Sequence, residues 1–171
     1  MIKIAVNAGH TASGAGSGAV GYLNESKETR AVVEKLIPLL EKKGYDVVNA
    51  TVGRAATQSA YLKKAVQIAN SSKADLFLSV HFNAGGGKGC EAYTWKGRAV
   101  KQAVDACKNL ERLGFKNRGI KDGSQMYVIK KSRMKAVLLE VCFVDNKADA
   151  DIYKRLGPAK IAQAIADGIG G

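Results

Sequence analysis

The chain has few of the residues that mark a disulfide-built secreted protein or a membrane protein. Its 171 residues include three cysteines, Cys90, Cys107 and Cys142, which are odd in number and form no CxxC pair. This pattern favours buried thiols with a packing role over a disulfide framework or a cysteine-ligated metal. No apolar run approaches the roughly 20 residues of a membrane-spanning helix, so we expect no membrane insertion. The first residues lack the basic segment and long apolar stretch of a secretory signal, which predicts synthesis in the cytoplasm.

Acidic residues are scarce relative to basic ones. The sequence has 27 lysines and arginines against 15 aspartates and glutamates, which gives a formal net charge of +12. Such a surface attracts anionic polymers, either nucleic acid or a cell wall rich in phosphate and carboxylate groups, over roughly 8 Å at physiological salt. Aromatic residues make up only 6% of the chain. This low content gives little support to a base-stacking platform for nucleic acid.

Strand-like and helix-like segments alternate along the chain, which is typical of a layered α/β domain. We therefore predict one domain over residues 1–171, with a central, mostly parallel, twisted sheet of about six strands flanked by helices. Asn24 is the expected N-cap of the first helix, and Pro38 is expected to kink or split it. Residues 118–125, which contain glycines, are predicted to form a loop. The predicted strands are 2–7, 45–50, 75–81, 90–95, 126–129 and 136–143, and the predicted helices are 26–43, 58–71, 97–113, 147–154 and 158–169.

The chain contains only two histidines, and each lies at the end of a predicted strand. His10 follows the first strand, and His81 closes the apolar strand at 75–81. Imidazole is the commonest metal ligand, and the ends of strands are where α/β folds build their sites. Glu140 lies inside an otherwise apolar strand, where an ionised carboxylate is costly unless it is paired or close to a metal. These residues suggest a zinc centre with Glu140 as a candidate general base.

Two glutamates at the start of the first helix compete for a third ligand position. Glu25 and Glu28 are three residues apart and share a helix face. Carboxylates in a first turn also suit the helix dipole without any further role. Two histidines and one glutamate form an established catalytic zinc set. Either glutamate is therefore a candidate ligand, and the residues alone do not choose between them.

Several ordered motifs resemble those of the zinc-dependent N-acetylmuramoyl-L-alanine amidases, the catalytic domain called amidase type 3. The resemblance runs from residue 2 to the C-terminal helices, and it is strongest to the catalytic domains of phage endolysins and clostridial autolysins. The matching segments are Gly9-His10, Asn24-Glu25, SVHFNA at 79–84, Asn117-Arg118-Gly119 and LEVCFVDN at 139–146.

The resemblance implies a role for each candidate residue. His10, Glu25 and His81 would bind one zinc ion per chain, Glu140 would be the catalytic glutamate, and Glu28 would be a helix-surface residue. The substrate would be peptidoglycan, cut at the amide between N-acetylmuramic acid and the L-alanine of the stem peptide. Anionic wall polymers would attract the basic surface, and no nucleic-acid partner is expected. The enzyme would reach the wall after cell lysis or through a membrane-permeabilising partner. Whether a wall-binding domain follows Gly171 is left open.

Three features depart from the family pattern. Asn7 replaces the usual aspartate before Gly-His and is expected to change a contact around the site but no ligand. Cys142 replaces a glycine and is expected to be a packing substitution. The glycine-rich stretch at 11–18 is degenerate.

Other interpretations explain less of the sequence. Residues 16–21, GSGAVG, form a literal GxGxxG motif, but a dinucleotide site needs that motif directly between a strand and a helix, and here it lies in mid-loop. A basic nucleic-acid-binding domain would explain the charge but not the two strand-end histidines and Glu140. A wall-binding protein without catalytic activity would have no need to keep the complete set of candidate zinc ligands that this sequence contains. A zinc peptidase or carboxypeptidase acting on wall peptides would use the same metal chemistry and stays as the alternative.

Overall fold

The computed structural model describes residues 1–170, so Gly171, the last residue of the predicted domain, lies outside the described residues. The strands are β1 (Lys3–Ala8), β2 (Asp46–Asn49), β3 (Leu76–Asn83), β4 (Cys90–Thr94), β5 (Asn117–Asp122) and β6 (Lys135–Phe143). The helices are α1 (Glu25–Lys42), α2 (Gln58–Ser71), α3 (Lys101–Arg112), α4 (Tyr127–Lys130) and α5 (Lys147–Ile169), with a 3₁₀ turn at Trp95–Gly97.

All six strands form one sheet in the order β2-β1-β3-β6-β4-β5. The pairs β1–β2, β1–β3, β3–β6 and β4–β5 are parallel, and β4 runs antiparallel to β6. The predicted mostly parallel, six-stranded α/β sheet is therefore confirmed. Because β4 is reversed, its first residues lie at the same edge of the sheet as the last residues of β6.

Helices cover both faces of the sheet, and the alternation of side chains along each strand divides the core in two. Ile4 and Val6 of β1 pack in the larger core with α1, α3 and α5, whereas Ala5 packs in the smaller core with α2 and α4. On β3, Leu78 and Phe77 divide in the same way. This two-sided burial is expected of central parallel strands, which carry helices on both faces.

Two predicted elements are wrong in type. The predicted loop at 118–125 is largely strand β5, and the predicted strand at 126–129 is the single-turn helix α4. Strand β5 is an edge strand whose residues are only partly buried, so it lacks the apolar alternation that identifies a strand. In α4, Val128 and Ile129 bury their side chains in the smaller core, which explains why the segment looks apolar and strand-like.

The structure also bears on the other predicted helices and on the thiols. The helices predicted at 147–154 and 158–169 both lie in α5, which is interrupted at Gly157, where φ and ψ are not helical. Asn24 caps α1 by accepting a hydrogen bond from the Lys27 backbone at 3.1 Å. Helix α1 continues through Pro38 to Lys42, so of the two expected effects, a kink or a split, the split does not occur. The three cysteines are free and buried. No helix within residues 1–170 combines the length and the apolar character needed to cross a membrane.

Candidate metal centre

The candidate site lies where β1, β3 and β6 reach their carboxyl ends. His10 follows β1 by two residues, Glu25 is the first residue of α1, and His81 lies on β3 two residues before that strand ends. Strand β6 pairs in register with β3 so that Glu140 stands directly beside His81. Four predicted site residues from four separate segments are thus brought to one edge of the sheet.

The Glu25 carboxylate lies between the two imidazoles. Its Oε1 is 3.1 Å from His10 Nε2 and 3.2 Å from His81 Nδ1. One ligand atom from each of these three residues lies within 4.8 Å of the others. Within residues 1–170, no other group of three or more histidines, cysteines or carboxylates is arranged so closely. The group has the composition of a His₂Glu site, which leaves a position open for water and substrate.

Hydrogen bonding around His10 shows that the group fits a cation. His10 Nδ1 lies 3.0 Å from the Gly16 carbonyl oxygen, which can only accept, so Nδ1 carries the proton. In the neutral ring Nε2 then presents a lone pair to the Glu25 carboxylate. Two lone pairs face one another at 3.1 Å, an arrangement that a metal ion or a proton must stabilise. The contact from Nδ1 to a carbonyl is the usual way in which a ligating histidine is oriented.

The titration properties of these side chains follow from their mutual contacts. Burial would raise the pKa of Glu25, but hydrogen bonds and charge from His10 and His81 lower it to about 2. Burial is the largest influence on His10 and works against its protonation, but the hydrogen bond and charge of Glu25 and the hydrogen bond to the Gly16 carbonyl together outweigh it, so the pKa of His10 is raised. His81 is more deeply buried, and its pKa is lowered. Glu25 is therefore ionised at neutral pH and His81 is neutral, which are the forms that bind metal.

The backbone at His10 is held in an unusual conformation. Its φ of 67° lies in the left-handed region, which costs free energy for a residue other than glycine. The Tyr61 hydroxyl accepts a hydrogen bond from His10 N at 2.7 Å, and Arg30 donates to His10 O at 2.9 Å. Neither Tyr61 nor Arg30 is identified from the sequence, because Tyr61 lies on α2 outside the motifs and Arg30, although it follows Glu25 on α1, looks like one more basic residue on a helix. They fix the direction in which the His10 ring points.

His81 is supported from behind by a short polar row on β1 and β3. Ser79 Oγ lies 3.1 Å from His81 Nε2, and Asn7 Nδ2 donates to Ser79 Oγ at 2.9 Å. Asn7 also donates to the Tyr61 hydroxyl at 3.2 Å. The position where the family resemblance expects aspartate therefore contacts both groups that support the histidines. In the sequence Ser79 opens the SVHFNA segment, and its spacing of two from His81 places both side chains on one face of the strand.

Two glycines allow the candidate ligands His81 and Glu25 to approach the backbone. A Cβ at Gly9 would lie 2.4–2.6 Å from atoms of the His81 ring, and a Cβ at Gly18 would lie 2.5 Å from Glu25 Oε2. The Glu25 carboxylate also accepts hydrogen bonds from the backbone N–H groups of Ala19 at 3.0 Å and Phe82 at 3.1 Å. Gly18 is part of the GxGxxG motif. Its close contact with Glu25 gives that glycine a packing role beside the three candidate metal ligands.

Glu140 lies in the site with its carboxylate largely unpaired. The residue is 9% exposed, and its Oε2 is buried without a hydrogen-bond partner among the described residues. Burial, followed by the charges of Glu25 and Glu91, raises the pKa of Glu140 well above its ordinary value. A desolvated carboxyl group with an elevated pKa, next to a metal group, has the properties of a general base.

Glu28, the competing candidate, points away from this group. Its Oε2 accepts a hydrogen bond from the Tyr153 hydroxyl on α5 at 2.8 Å. Glu25, in contrast, is 4% exposed and faces both histidines. The geometry thus favours Glu25 as the third ligand.

Comparison with known proteins identifies the family of this chain. The family model described as N-acetylmuramoyl-L-alanine amidase matches residues 4–170. The chain belongs to the N-acetylmuramoyl-L-alanine amidase family. The resemblance drawn from the motifs is therefore confirmed.

Relatives and solved structures agree with this membership. The chain is 34% identical to N-acetylmuramoyl-L-alanine amidase CwlM of Bacillus licheniformis over 98% of its own length and 66% of that protein. It is 33% identical to the endolysin of Bacillus phage SPP1 over 96% of its length and 63% of that protein. The catalytic domain of the CD27L endolysin targeting Clostridia difficile superposes with a TM-score of 0.91 at 31% identity, over 99% of this chain and 97% of that one.

The chain corresponds to one part of longer relatives. An uncharacterised protein of Clostridium perfringens is 36% identical over 98% of this chain, but the match covers only 51% of that protein. The chain thus spans about half the length of the first curated relatives it matches.

Proposed function

We propose that this amidase-family domain hydrolyses the amide bond between N-acetylmuramic acid and the L-alanine of the peptidoglycan stem peptide. The observation that carries the proposal is the convergence of His10, Glu25 and His81 within 4.8 Å of one another, with Glu140 beside His81 on the neighbouring strand. Family membership supports the choice of substrate, because the geometry alone indicates hydrolysis without naming a bond. The domain is proposed to extend over residues 1–171.

In this proposal His10, Glu25 and His81 hold one zinc ion per chain. When bound, zinc would supply a Lewis acid that polarises the amide carbonyl and makes water more acidic. The protein contributes the ligand geometry, which Gly16, Ser79 and the backbone near Glu25 support by hydrogen bonds.

Glu140 is proposed to move the proton. As general base it accepts a proton from the attacking water, and as general acid it returns that proton to the amine nitrogen when the carbon–nitrogen bond breaks. A raised pKa suits both steps, because the carboxylate becomes a stronger base and the carboxyl group remains protonated long enough to donate. The products are the free lactyl carboxylate on the glycan and a stem peptide with a free N-terminal L-alanine.

The wall is also the proposed setting in which the domain acts. A net charge of +12 favours accumulation on anionic wall polymers, although it does not select a bond. Action on the wall is proposed to follow cell lysis or the work of a membrane-permeabilising partner, as for a lysin or an autolysin. A peptidase acting within the stem peptide is the second candidate, since the same ligands and base would serve it.

Mass spectrometry of wall digests tests the proposal. Purified walls digested with the zinc-loaded protein should release stem peptides with new N-terminal L-alanine, whereas intact lactyl–alanine bonds with cuts inside the peptide would favour the peptidase. Glu140→Gln should retain zinc and lose activity by about 100- to 10,000-fold. His81→Ala should lose both zinc and activity. The exposed Glu41 offers a matched control, and Glu41→Gln should behave as the parent. Normal lysis by Glu140→Gln would show that another group is the base.

A further inference from the structure

Arg118, in the Asn117-Arg118-Gly119 motif, has no role in the chemistry described so far. It lies on β5, which pairs with the early residues of β4, and β4 in turn places Glu91 opposite Glu140. Because β4 and β5 both begin at the edge where β6 ends, Arg118 lies on the same edge of the sheet as Glu140. The motif thus lies on the β4–β5 side of Glu140, whereas His10, Glu25 and His81 lie on the β1–β3 side.

A buried carboxylate fixes the Arg118 side chain. Glu91 is 3% exposed, and its Oε2 accepts a hydrogen bond from Arg118 Nε at 2.7 Å. Its Oε1 accepts from Asn83 Nδ2 and from the Tyr93 hydroxyl, both at 2.8 Å. Glu91 therefore has three donors from three strands, and it holds the guanidinium through the inner nitrogen.

The outer part of the guanidinium stays available. The Arg118 side chain is 34% exposed, and its carbon Cζ lies 5.1 Å above the centre of the Phe143 ring. Its two terminal nitrogens donate to no group within residues 1–170, as the hydrogen bonds there engage only Nε. An arginine held at Nε and packed on an aromatic ring presents its remaining donors in a fixed plane, which suits a carboxylate.

We propose that Arg118 is a substrate-binding residue that recognises the free α-carboxylate of the second residue of the stem peptide, which is free where the peptide continues through that residue's side-chain carboxyl group. The inference rests on the proposed amidase function, since it assigns the peptide side of the cut bond to the β4–β5 side of Glu140. Arg118 thereby selects stems whose second residue carries a carboxylate over stems in which that group is an amide.

The dimensions of the sheet agree with this assignment. Strands β6 and β5 are two spacings apart, about 10 Å between backbones. The Arg118 side chain reaches back toward β4, because its Nε contacts Glu91, so the gap from guanidinium to Glu140 is shorter than that. Two extended residues span at most about 7 Å. The first two residues of a stem peptide whose scissile nitrogen lies at Glu140 therefore extend across most of this distance toward Arg118.

A matched pair of soluble muramyl tripeptides tests the proposal. The two differ only in whether the second residue carries a free α-carboxylate or its amide, and kcat and KM are measured for each with the zinc-loaded protein. The parent should cleave the carboxylate form more efficiently, by about 10- to 100-fold in kcat/KM and mainly through KM. Arg118→Gln should remove that preference. Arg118→Lys should restore part of it, because lysine keeps the charge without the paired donors. Arg112→Gln, an exposed arginine on α3, is the control and should keep the full preference.

The preference ratio separates recognition from a structural role. A variant that is partly unfolded loses activity on both peptides equally, so the ratio of the two kcat/KM values is unaffected by the fraction of folded enzyme. Equal cleavage of the two peptides by the parent, or an unchanged ratio in Arg118→Gln, would overturn the inference and leave the amidase function intact. Cleavage of neither peptide at the lactyl–alanine bond by the parent would overturn the proposed function and the inference with it.

Discussion

Gly18→Ala tests whether zinc binding by His10, Glu25 and His81 requires the close approach of Glu25 to the backbone at Gly18. A Cβ at this position would lie 2.5 Å from Glu25 Oε2 and 2.9 Å from Glu25 Cβ. The φ of Gly18 is outside the left-handed region, so alanine introduces no backbone strain there. The effect of the substitution is therefore steric and is directed at one side chain.

The size of the effect follows from the contact. Oε2 must retreat from 2.5 Å to an ordinary contact of at least 3.4 Å, about 0.9 Å, and this movement breaks its hydrogen bond from Ala19 N. The second contact, at Glu25 Cβ, lies next to the helix backbone and cannot be relieved by a side-chain rotation alone. Overpacking of this kind costs about 1–3 kcal/mol of unfolding free energy. A ligand displaced by nearly 1 Å should reduce zinc affinity by about 10- to 100-fold and activity by roughly 100-fold.

Zinc affinity is measured by competition with a chromogenic chelator, and stability by denaturant unfolding of the metal-free protein. Gly53→Ala is the matched control, because a Cβ there has no atom within 4 Å and the residue also lies outside the left-handed region. The control should change stability by less than about 1 kcal/mol and leave zinc affinity intact. If Gly18→Ala binds zinc and cleaves walls like the control, then Glu25 does not hold the metal in the geometry described.

Two further predictions concern the same carboxylate. Glu25→Gln should lose bound zinc by elemental analysis whereas Glu28→Gln should retain it, and the reverse result would make Glu28 the ligand. The pH dependence of stability supplies an independent check. The folded pKa of Glu25 lies at about 2, below its ordinary 4.5, so its contribution is present above pH 4.5 and is lost as the pH falls toward 2. The metal-free protein should lose about 3 kcal/mol of unfolding free energy across that interval. Glu25→Gln should show a shallower loss in acid denaturation, and equal slopes would argue against the depressed pKa.

Much of the sheet could be predicted because its central strands are buried on both faces. The segments that form β3 and β6 are mostly apolar and almost wholly buried, which is typical of central parallel strands. The direction of β4 could not be predicted, because five residues of mixed character carry no information about which neighbour they pair with. Strand β5 was missed for a related reason, as an edge strand exposed to water has little need of apolar alternation.

The histidines and Glu140 were accessible to sequence reasoning because each breaks the pattern around it. A polar or ionisable residue at the end of a buried strand, or within one, requires an explanation by pairing or by chemistry. The supporting residues are different. Tyr61 and Arg30 are ordinary members of amphipathic helices, and only the packing of α1 and α2 against β1 brings them to His10. Glu91 looks like a surface charge until β4 is placed beside Glu140.

The choice between Glu25 and Glu28 shows why the third ligand needs tertiary structure. Three residues along a helix turn the side chain by about 300°, so the two carboxylates leave the helix only about 60° apart. A difference of this size is too small for the hydrophobic pattern of the helix to show which carboxylate faces the sheet, yet the two side chains contact different parts of the protein. Glu28 reaches a hydroxyl on α5, from Tyr153, 125 residues along the chain. Glu25 reaches imidazoles that follow β1 and lie on β3. Which of the two carboxylates faces the histidines is therefore decided by where α1 lies between the sheet and α5, which no local segment of the sequence contains.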